Sequence, residues 1–189
     1  DLISGGRLVL GVGIGSPAHG DFALFGDEAD AVTRAEMLDE GLVVLQGLWS
    51  GEPFAHAGTH YSIGEVTFTP TPVQRPRIPI WVGGTLPLRR PMLRAARWDG
   101  AVPITWADGR LARPSPQQIA SVRDLVVEHR DPGGPPFDLA VWAEVAGRPR
   151  ELGAQLPEYV DAGATWWIET AKPEPGWLAE LVERIKAGV

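Results

Sequence analysis

Short apolar segments alternate with longer amphipathic segments along this sequence, and the alternation limits the folds that the chain can adopt. Each apolar segment has the length of a buried strand, and the segment after it carries apolar residues at helical spacing. A repeated strand–helix order predicts a parallel α/β sheet with right-handed crossovers. The predicted strands are Leu8–Gly13, Ile78–Val82, Ala101–Ile104, Asp138–Val145 and Thr165–Thr170, and the predicted helices run from about Asp30 to Trp49, Leu88 to Trp98, Pro116 to Arg130, Glu151 to Ala162 and Trp177 to Ala187.

Composition and charge limit the class of protein. The chain has 189 residues, of which 44% are hydrophobic, so we predict a single domain over residues 1–189. Its 17 Lys and Arg residues against 24 Asp and Glu residues give a net charge of -7, which disfavours a nucleic-acid surface and favours a soluble partner. The sequence has no cysteine for a disulfide or a thiolate metal site, and no apolar run reaches the ~20 residues of a membrane helix. We therefore predict a cytoplasmic protein that binds neither nucleic acid nor membranes.

The end of the second predicted strand is a candidate binding site. Ile78–Val82 is followed directly by Gly83, Gly84 and Thr85, and Pro87 behind them is typical of the start of a helix. Two glycines at a strand-to-helix turn allow positive φ and let backbone N–H groups approach an anion at the helix N-terminus. The stretch predicts a phosphate site, and the alternative is a tight turn whose glycines only satisfy backbone geometry.

A second glycine pair lies at the end of the first predicted strand. Gly13, Gly15 and Ala18 match G-x-G-x-x-A, which is the weak form of a dinucleotide fingerprint. In that motif the helix begins inside the glycines, whereas here helical periodicity resumes only near Ala29. The context therefore disfavours dinucleotide binding at this turn.

Residues 51–77 form a long excursion between the first helix and the second strand. Excursions of this length are usually functional or disordered, and the aromatic residues favour an ordered flap, which we interpret as an insertion. His56 and His60 lie in it at a spacing that a metal site can use, but no HExxH pattern accompanies them. We expect a histidine pair without a metal.

Four further charged residues lie close to the ends of predicted strands. Arg89 and Arg90 follow the Gly83–Thr85 turn closely enough to meet a phosphate, although an arginine-rich helix face is more often solvated. Glu144 and Glu169 lie on the last two strands, where either a functional position at a barrel mouth or an ion pair with a neighbouring arginine fits the pattern.

Several motifs occur in one order along the chain, at Asp1–Gly13, Phe25, Gly26, Arg34, Glu40, Leu48–Gly51, Gly58–Tyr61, Pro70, Pro72 and Pro79–Gly84. Together they resemble the luciferase-like monooxygenase family, whose members use a flavin or the deazaflavin F420. The resemblance is dense from Asp1 to Ile104 and continues to Val189 through strand–helix rhythm alone. It implies a (β/α)8 TIM-type barrel that binds its cofactor at the C-terminal ends of the strands.

The resemblance also implies a function. The expected protein is an oxidoreductase that uses FMN or F420 on a small organic substrate, and it supplies position and electrostatics around the cofactor. A non-catalytic flavin-binding or partner subunit and a truncated, inactive barrel are the alternatives. Gly83, Gly84 and Thr85 would hold the phosphate, Ile14 and Gly15 would lie against the ring or its polar edge, and Val82 completes the expected cofactor-binding set.

The sequence departs from the family pattern in two ways. A full barrel has eight strand–helix units in ~250 residues, and about five are predicted here, so the sequence resembles the C-terminal five-eighths of such a protein. An open barrel would expose strand edges and apolar interior, so we expect a homo-oligomer. In addition, Ser16 stands where some F420-dependent sugar dehydrogenases of the family have a glutamate, and no catalytic residue is assigned.

Overall fold

The computed structural model describes residues 1–16, 20–144, 149–170 and 176–187. The chain divides into two compact units, Asp1–Ile80 and Trp81–Val189. The predicted single domain stays a prediction, and each unit is described separately below. Among the described residues, no helix has both the length and the apolar character that crossing a membrane requires.

The first unit contains one long helix and a β-hairpin. Strand β1 (Leu10–Val12) is held by the N–H of Leu10, which donates to the carbonyl of Pro79 at 2.9 Å. The carboxylate of Asp30 caps the long helix by accepting from the N–H of Thr33 at 2.7 Å, and this hydrogen bond lowers the pKa of Asp30. The other elements of this unit are α1 (Asp21–Phe25), α2 (Ala31–Trp49), β2 (Phe54–Ala57) and β3 (Ser62–Val66). Strands β2 and β3 pair antiparallel, so the predicted flap within residues 51–77 is built around an ordered hairpin.

The second unit is an α/β sheet in which strands and helices alternate. Its strands follow the order β4, β5, β7 and β8 and are parallel to one another, while β6 pairs antiparallel with the end of β5. The predicted mostly parallel α/β class is therefore confirmed. The elements are β4 (Ile80–Thr85), α3 (Arg89–Ala95), β5 (Gly100–Ala107), β6 (Arg110–Ala112), α4 (Pro116–His129), β7 (Asp138–Glu144), α5 (Pro149–Asp161), β8 (Trp166–Thr170) and α6 (Trp177–Ala187).

The sheet of the second unit is strongly curved. The rings of Trp81 on β4 and Trp166 on β8 pack edge to face with centroids 5.4 Å apart, although β5 and β7 lie between their strands. Gly100 makes this contact sterically feasible, because a Cβ there would lie 2.5 Å from the indole of Trp81. The face that carries Trp81 and Trp166 is therefore concave, as in the wall of a barrel.

Helices cover the opposite, convex face, where the core of this unit lies. Helix α4 begins at a capping box in which the Ser115 hydroxyl and the Gln118 side chain satisfy each other's backbone N–H groups. Its buried residues Ile119 and Val122 extend the apolar layer that β4 and α3 begin. The most buried side chains in and around this layer are Ile80, Val82, Met92, Ile119, Pro103, Pro114 and Val141.

The structure corrects the predicted turn after the second strand. Strand β4 does not end before Gly83 but runs on to Thr85, which pairs with Ile104 of β5. The prediction that Gly83, Gly84 and Thr85 form a strand-to-helix turn is wrong, because these residues belong to the strand and α3 begins only at Arg89. A Cβ on Gly84 would overlap the Cβ of Pro91, so this glycine lets α3 approach the strand and does not serve a left-handed turn.

Replacing Gly84 by alanine is expected to destabilise the second unit. Because the Pro91 ring cannot rotate away, the added methyl group must displace α3, and overpacking of this kind costs about 1–3 kcal/mol of unfolding free energy. Gly64→Ala is the control, since Gly64 also lies in a strand and a Cβ there meets nothing within 4 Å. Urea unfolding of both variants measures the difference, and equal stability of the two would contradict this account.

Candidate functional site

The C-terminal end of β4 divides the predicted cofactor residues between two faces. Side chains alternate along a strand, so Gly83 and Thr85 share the concave face with Trp81, whereas Val82 and Gly84 face α3. Val82 is fully buried, and Thr85 is partly exposed. Gly83 and Thr85 are therefore the residues of this group that are placed to meet a ligand on the concave face.

Strand β5 extends the same face with apolar side chains. Thr85 pairs with Ile104, and Gly83 pairs with Val102, so these four residues form two adjacent rows. Both β5 side chains are partly exposed, and Trp106, two residues further along the same side of the strand, is 51% exposed. The concave face thus combines the hydroxyl of Thr85, the absence of a side chain at Gly83 and the apolar side chains of β5. Sites for planar organic ligands have this combination.

Backbone hydrogen bonds already occupy part of the turn between β4 and α3. The N–H of Leu86 donates to the carbonyl of Ile104 at 2.7 Å, and the N–H of Leu88 donates to the carbonyl of Thr85 at 3.1 Å. Pro87 has no N–H. The side chains of Arg89 and Arg90 are exposed at the start of α3, so these two guanidinium groups and the hydroxyl of Thr85 are polar groups that lie near the turn.

A buried arginine organises the loop that carries Ile14 and Gly15 in the first unit. The Arg34 side chain extends from α2, and its Nε donates to the carbonyl of Ile14 at 2.9 Å. Its Nη1 donates to the carbonyls of Glu28 at 3.1 Å and Ala29 at 2.6 Å. Arg34 is only 8% exposed, so these hydrogen bonds form away from solvent and hold the loop against the helix.

The ring of Phe22 completes this loop anchor. The guanidinium carbon of Arg34 lies 4.0 Å from the ring centroid, a cation–π contact. Gly15 has φ of 72°, and a Cβ there would lie 2.5 Å from Cζ of Phe22. Helix α1 begins only at Asp21, so the glycines do not open a helix as the dinucleotide motif requires. Ala18 of that motif lies outside the described residues.

Sequence reasoning did not assign Arg34 a role. Its position held a usable signal, because Arg34 stands four and eight residues before Leu38 and Leu42, on the side of α2 that packs inward. An arginine at that spacing indicates a buried guanidinium, which requires acceptors.

A second polar anchor joins α2 to the hairpin. The Glu40 carboxylate accepts hydrogen bonds from the backbone N–H groups of Thr59 at 3.1 Å, His60 at 2.9 Å and Tyr61 at 2.8 Å, and from Nε2 of His56 at 2.9 Å. Burial alone would raise the pKa of Glu40, but these donors outweigh it and lower the pKa to about 2. His56 therefore holds the hairpin to the helix through Glu40.

The structure describes the remaining candidate residues, His60, Glu144 and Glu169, only in part. Nε2 of His60 lies 3.5 Å from the carboxylate of Glu36, and the described residues contain no cluster of three or more side chains suited to a metal. Glu144 and Glu169 lie in β7 and β8 as predicted, with Glu169 opposite Ala143. Their side chains lie outside what the structure describes.

Comparison with known proteins identifies the family. Residues 1–155 match the luciferase-like monooxygenase family, and the chain belongs to it. One curated relative, the F420-dependent glucose-6-phosphate dehydrogenase of Microbacterium testaceum, is 35% identical over 82 residues, 43% of this chain and 24% of that protein. Another, the oxygenase component of the flavin-dependent trigonelline monooxygenase of Acinetobacter baylyi, is 31% identical over 87 residues, 46% of this chain and 24% of that protein.

The fold has solved counterparts. The coenzyme F420 dependent tetrahydromethanopterin reductase of Methanopyrus kandleri superposes with a TM-score of 0.62 over 90% of this chain and 70% of that one, at 15% identity. The alignments with the two curated relatives span only about a quarter of each relative's length, 24% in both cases. The predicted family is confirmed, and the α/β fold is similar to that of this reductase.

The Glu40 anchor is expected to make stability depend on pH at acid values. The folded pKa of about 2 lies below the ordinary value of 4.5, so the stabilisation is complete above pH 4.5 and is lost as the pH falls through 2. Glu40→Gln should therefore be less stable than wild type at neutral pH, and the difference should shrink between pH 4.5 and pH 2. Urea unfolding at stepped pH measures it.

Glu65→Gln is the matched control for Glu40→Gln. It removes one negative charge from β3 of the same hairpin without touching the Glu40 contacts. A stability gap between wild type and Glu40→Gln that stayed constant down to pH 2 would contradict the anchor.

Proposed function

We propose that this chain forms part of a flavin- or F420-dependent oxidoreductase that acts on a small organic substrate. Family membership and the cofactors named for both curated relatives support the proposal. The observation that carries it is the position of Gly83 and Thr85 on the concave face, at the C-terminal end of a parallel strand. TIM-type barrels have their active sites at this edge of the sheet.

The residues on this face suit a phosphorylated, planar cofactor. Gly83 leaves room beside the strand, Val102 and Ile104 offer apolar contact to a ring, and the Thr85 hydroxyl is a donor for a phosphate oxygen. Val82 and Gly84 support the site from the convex face, because their packing against α3 fixes the strand that carries Thr85.

In the first unit, we propose that the loop after β1 contacts the ring system of the cofactor or the polar edge of that ring. Ile14 is held through its carbonyl by Arg34, and the left-handed Gly15 fits a backbone that a ligand approaches closely. Whether FMN or F420 is bound, the cofactor supplies hydride or oxygen transfer, and these residues bind it, orient it and keep water from its ring. No residue of this chain is assigned a proton-transfer role.

Two earlier expectations stay predictions. The cytoplasmic location and the homo-oligomer are both compatible with the family. The exposed indole of Trp106 and its cross-strand neighbour Leu111, 51% and 42% exposed, provide apolar surface of the kind that oligomers bury.

Cofactor titration tests the proposed site. Thr85→Val keeps the shape of the side chain but removes one donor to a charged oxygen, which costs about 1.5–3 kcal/mol, or about 10- to 150-fold in affinity. Gly83→Val adds a β-branched side chain, which strands accept, at a partly exposed position of the concave face, so it should block the ligand. Fluorescence titration with FMN and with F420 gives the dissociation constants.

Thr67→Val is the matched control, since Thr67 is an exposed threonine beyond β3. The expected order of affinity is wild type equal to Thr67→Val, then Thr85→Val and Gly83→Val. Failure of wild type to bind either cofactor would reject the proposed function, and equal affinity of all four proteins would reject this site.

A further inference from the structure

The guanidinium of Arg34 makes contacts that exceed what packing in α2 requires. It donates to three backbone carbonyls from two separate segments, at Ile14 and at Glu28 and Ala29, and it stacks on Phe22. Burial of an unpaired guanidinium costs several kcal/mol, so an apolar side chain would fill this place with less risk to stability. The arginine instead fixes the orientation of the carbonyls that it contacts, because the donors of its planar guanidinium group point in fixed directions.

The loop that Arg34 holds has little other structure. Gly13, Gly15 and Ser16 are exposed and lie outside any strand or helix. Helix α2, in contrast, has 19 residues and a capped N-terminus. By tying Ile14 to this helix, Arg34 transfers the rigidity of α2 to a loop that would otherwise sample many conformations.

We propose that Arg34 is a positioning residue that presents Ile14 and Gly15 to the cofactor. The inference rests on the proposed function and adds a specific role within it. Arg34 acts through the loop: its Nη2 is buried and has no hydrogen-bond partner among the described residues, and its Nε and Nη1 are occupied by backbone carbonyls. The ring of Phe22 occupies the space beside Gly15 in which a side chain would lie.

Arg34→Lys is the informative variant. Lysine keeps the positive charge but offers one ammonium, which cannot reach Ile14 and Ala29 while stacking on Phe22. We expect the dissociation constant of the cofactor that wild type binds to rise about tenfold or more, as the loss of oriented hydrogen bonds predicts. Phe22→Leu, which keeps an apolar side chain but removes the stacking ring, should shift it in the same direction.

Glu40→Gln is the matched control, because it weakens the other polar anchor of the same helix without touching the loop after β1. Hydrogen exchange followed by mass spectrometry, on the cofactor-free protein, reports on the two anchors separately. Arg34→Lys should speed exchange in residues 13–30 and leave residues 54–66 unchanged, and Glu40→Gln should do the reverse while binding the cofactor as wild type does.

Two results would overturn the positioning role. One is wild-type affinity in Arg34→Lys together with faster exchange in residues 13–30, since the loop would then be loosened without consequence for the cofactor. The other is an equal loss of affinity in Arg34→Lys and Glu40→Gln, which would indicate general destabilisation. Failure of wild type itself to bind FMN or F420 would reject the proposed function, and is thereby distinguished from both.

Discussion

The close approach of α3 to β4 at Gly84 is the contact on which the geometry of the second unit depends. The Pro91 ring occupies the space that a Cβ would need, so the strand lies directly against its helix there. Because side chains alternate, this fixes Gly83 and Thr85 on the other face. Gly84 thus affects the candidate site from the opposite face of the sheet, because its contact with α3 fixes the direction in which the Thr85 side chain points. The two glycines are adjacent in sequence and yet serve opposite sides of the sheet.

Curvature is the second requirement of this unit. Trp81 and Trp166 meet across two intervening strands because Gly100 leaves room for an indole, and the carboxylate of Asp138 accepts hydrogen bonds from Nε1 of Trp166 and the hydroxyl of Thr165, each at 3.0 Å. These contacts lie near the N-terminal ends of β7 and β8, whereas Thr85 lies at the C-terminal end of β4. In TIM-type barrels, which the family resemblance leads us to expect, the N-terminal ends of the strands serve stability and the C-terminal ends carry the active site.

The alternation of strands and helices could be read from the sequence because each element has its own apolar period. The described part of the chain contains the five predicted strand–helix pairs in the predicted order. The C-terminal end of β4 could not be predicted from the sequence, because Gly83, Gly84 and Thr85 have the composition of a turn, whereas in the structure they pair with β5 and Gly84 lies against Pro91. Arg34 and Glu40 were noticed only through a family resemblance. The carbonyl of Ile14 that Arg34 contacts and the N–H groups of Thr59–Tyr61 that Glu40 contacts lie about twenty residues away along the chain, beyond the reach of any local pattern.

Helix α2 holds two irregular segments by complementary means. Arg34 donates to backbone carbonyls of the loop after β1, and Glu40 accepts from backbone N–H groups of the hairpin. In both cases an ionised side chain contacts main-chain atoms, and such charge-assisted hydrogen bonds are stronger than neutral ones. Since the main chain is the same whatever the side chains are, the shape of each segment depends on the helix more than on the identity of the residues it holds. Apart from Gly15 and Gly58, where an added Cβ would collide with Phe22 and with Glu40, side chains in these segments can therefore change, as enzymes of one fold require when they act on different substrates, while the two anchors keep the backbone in place.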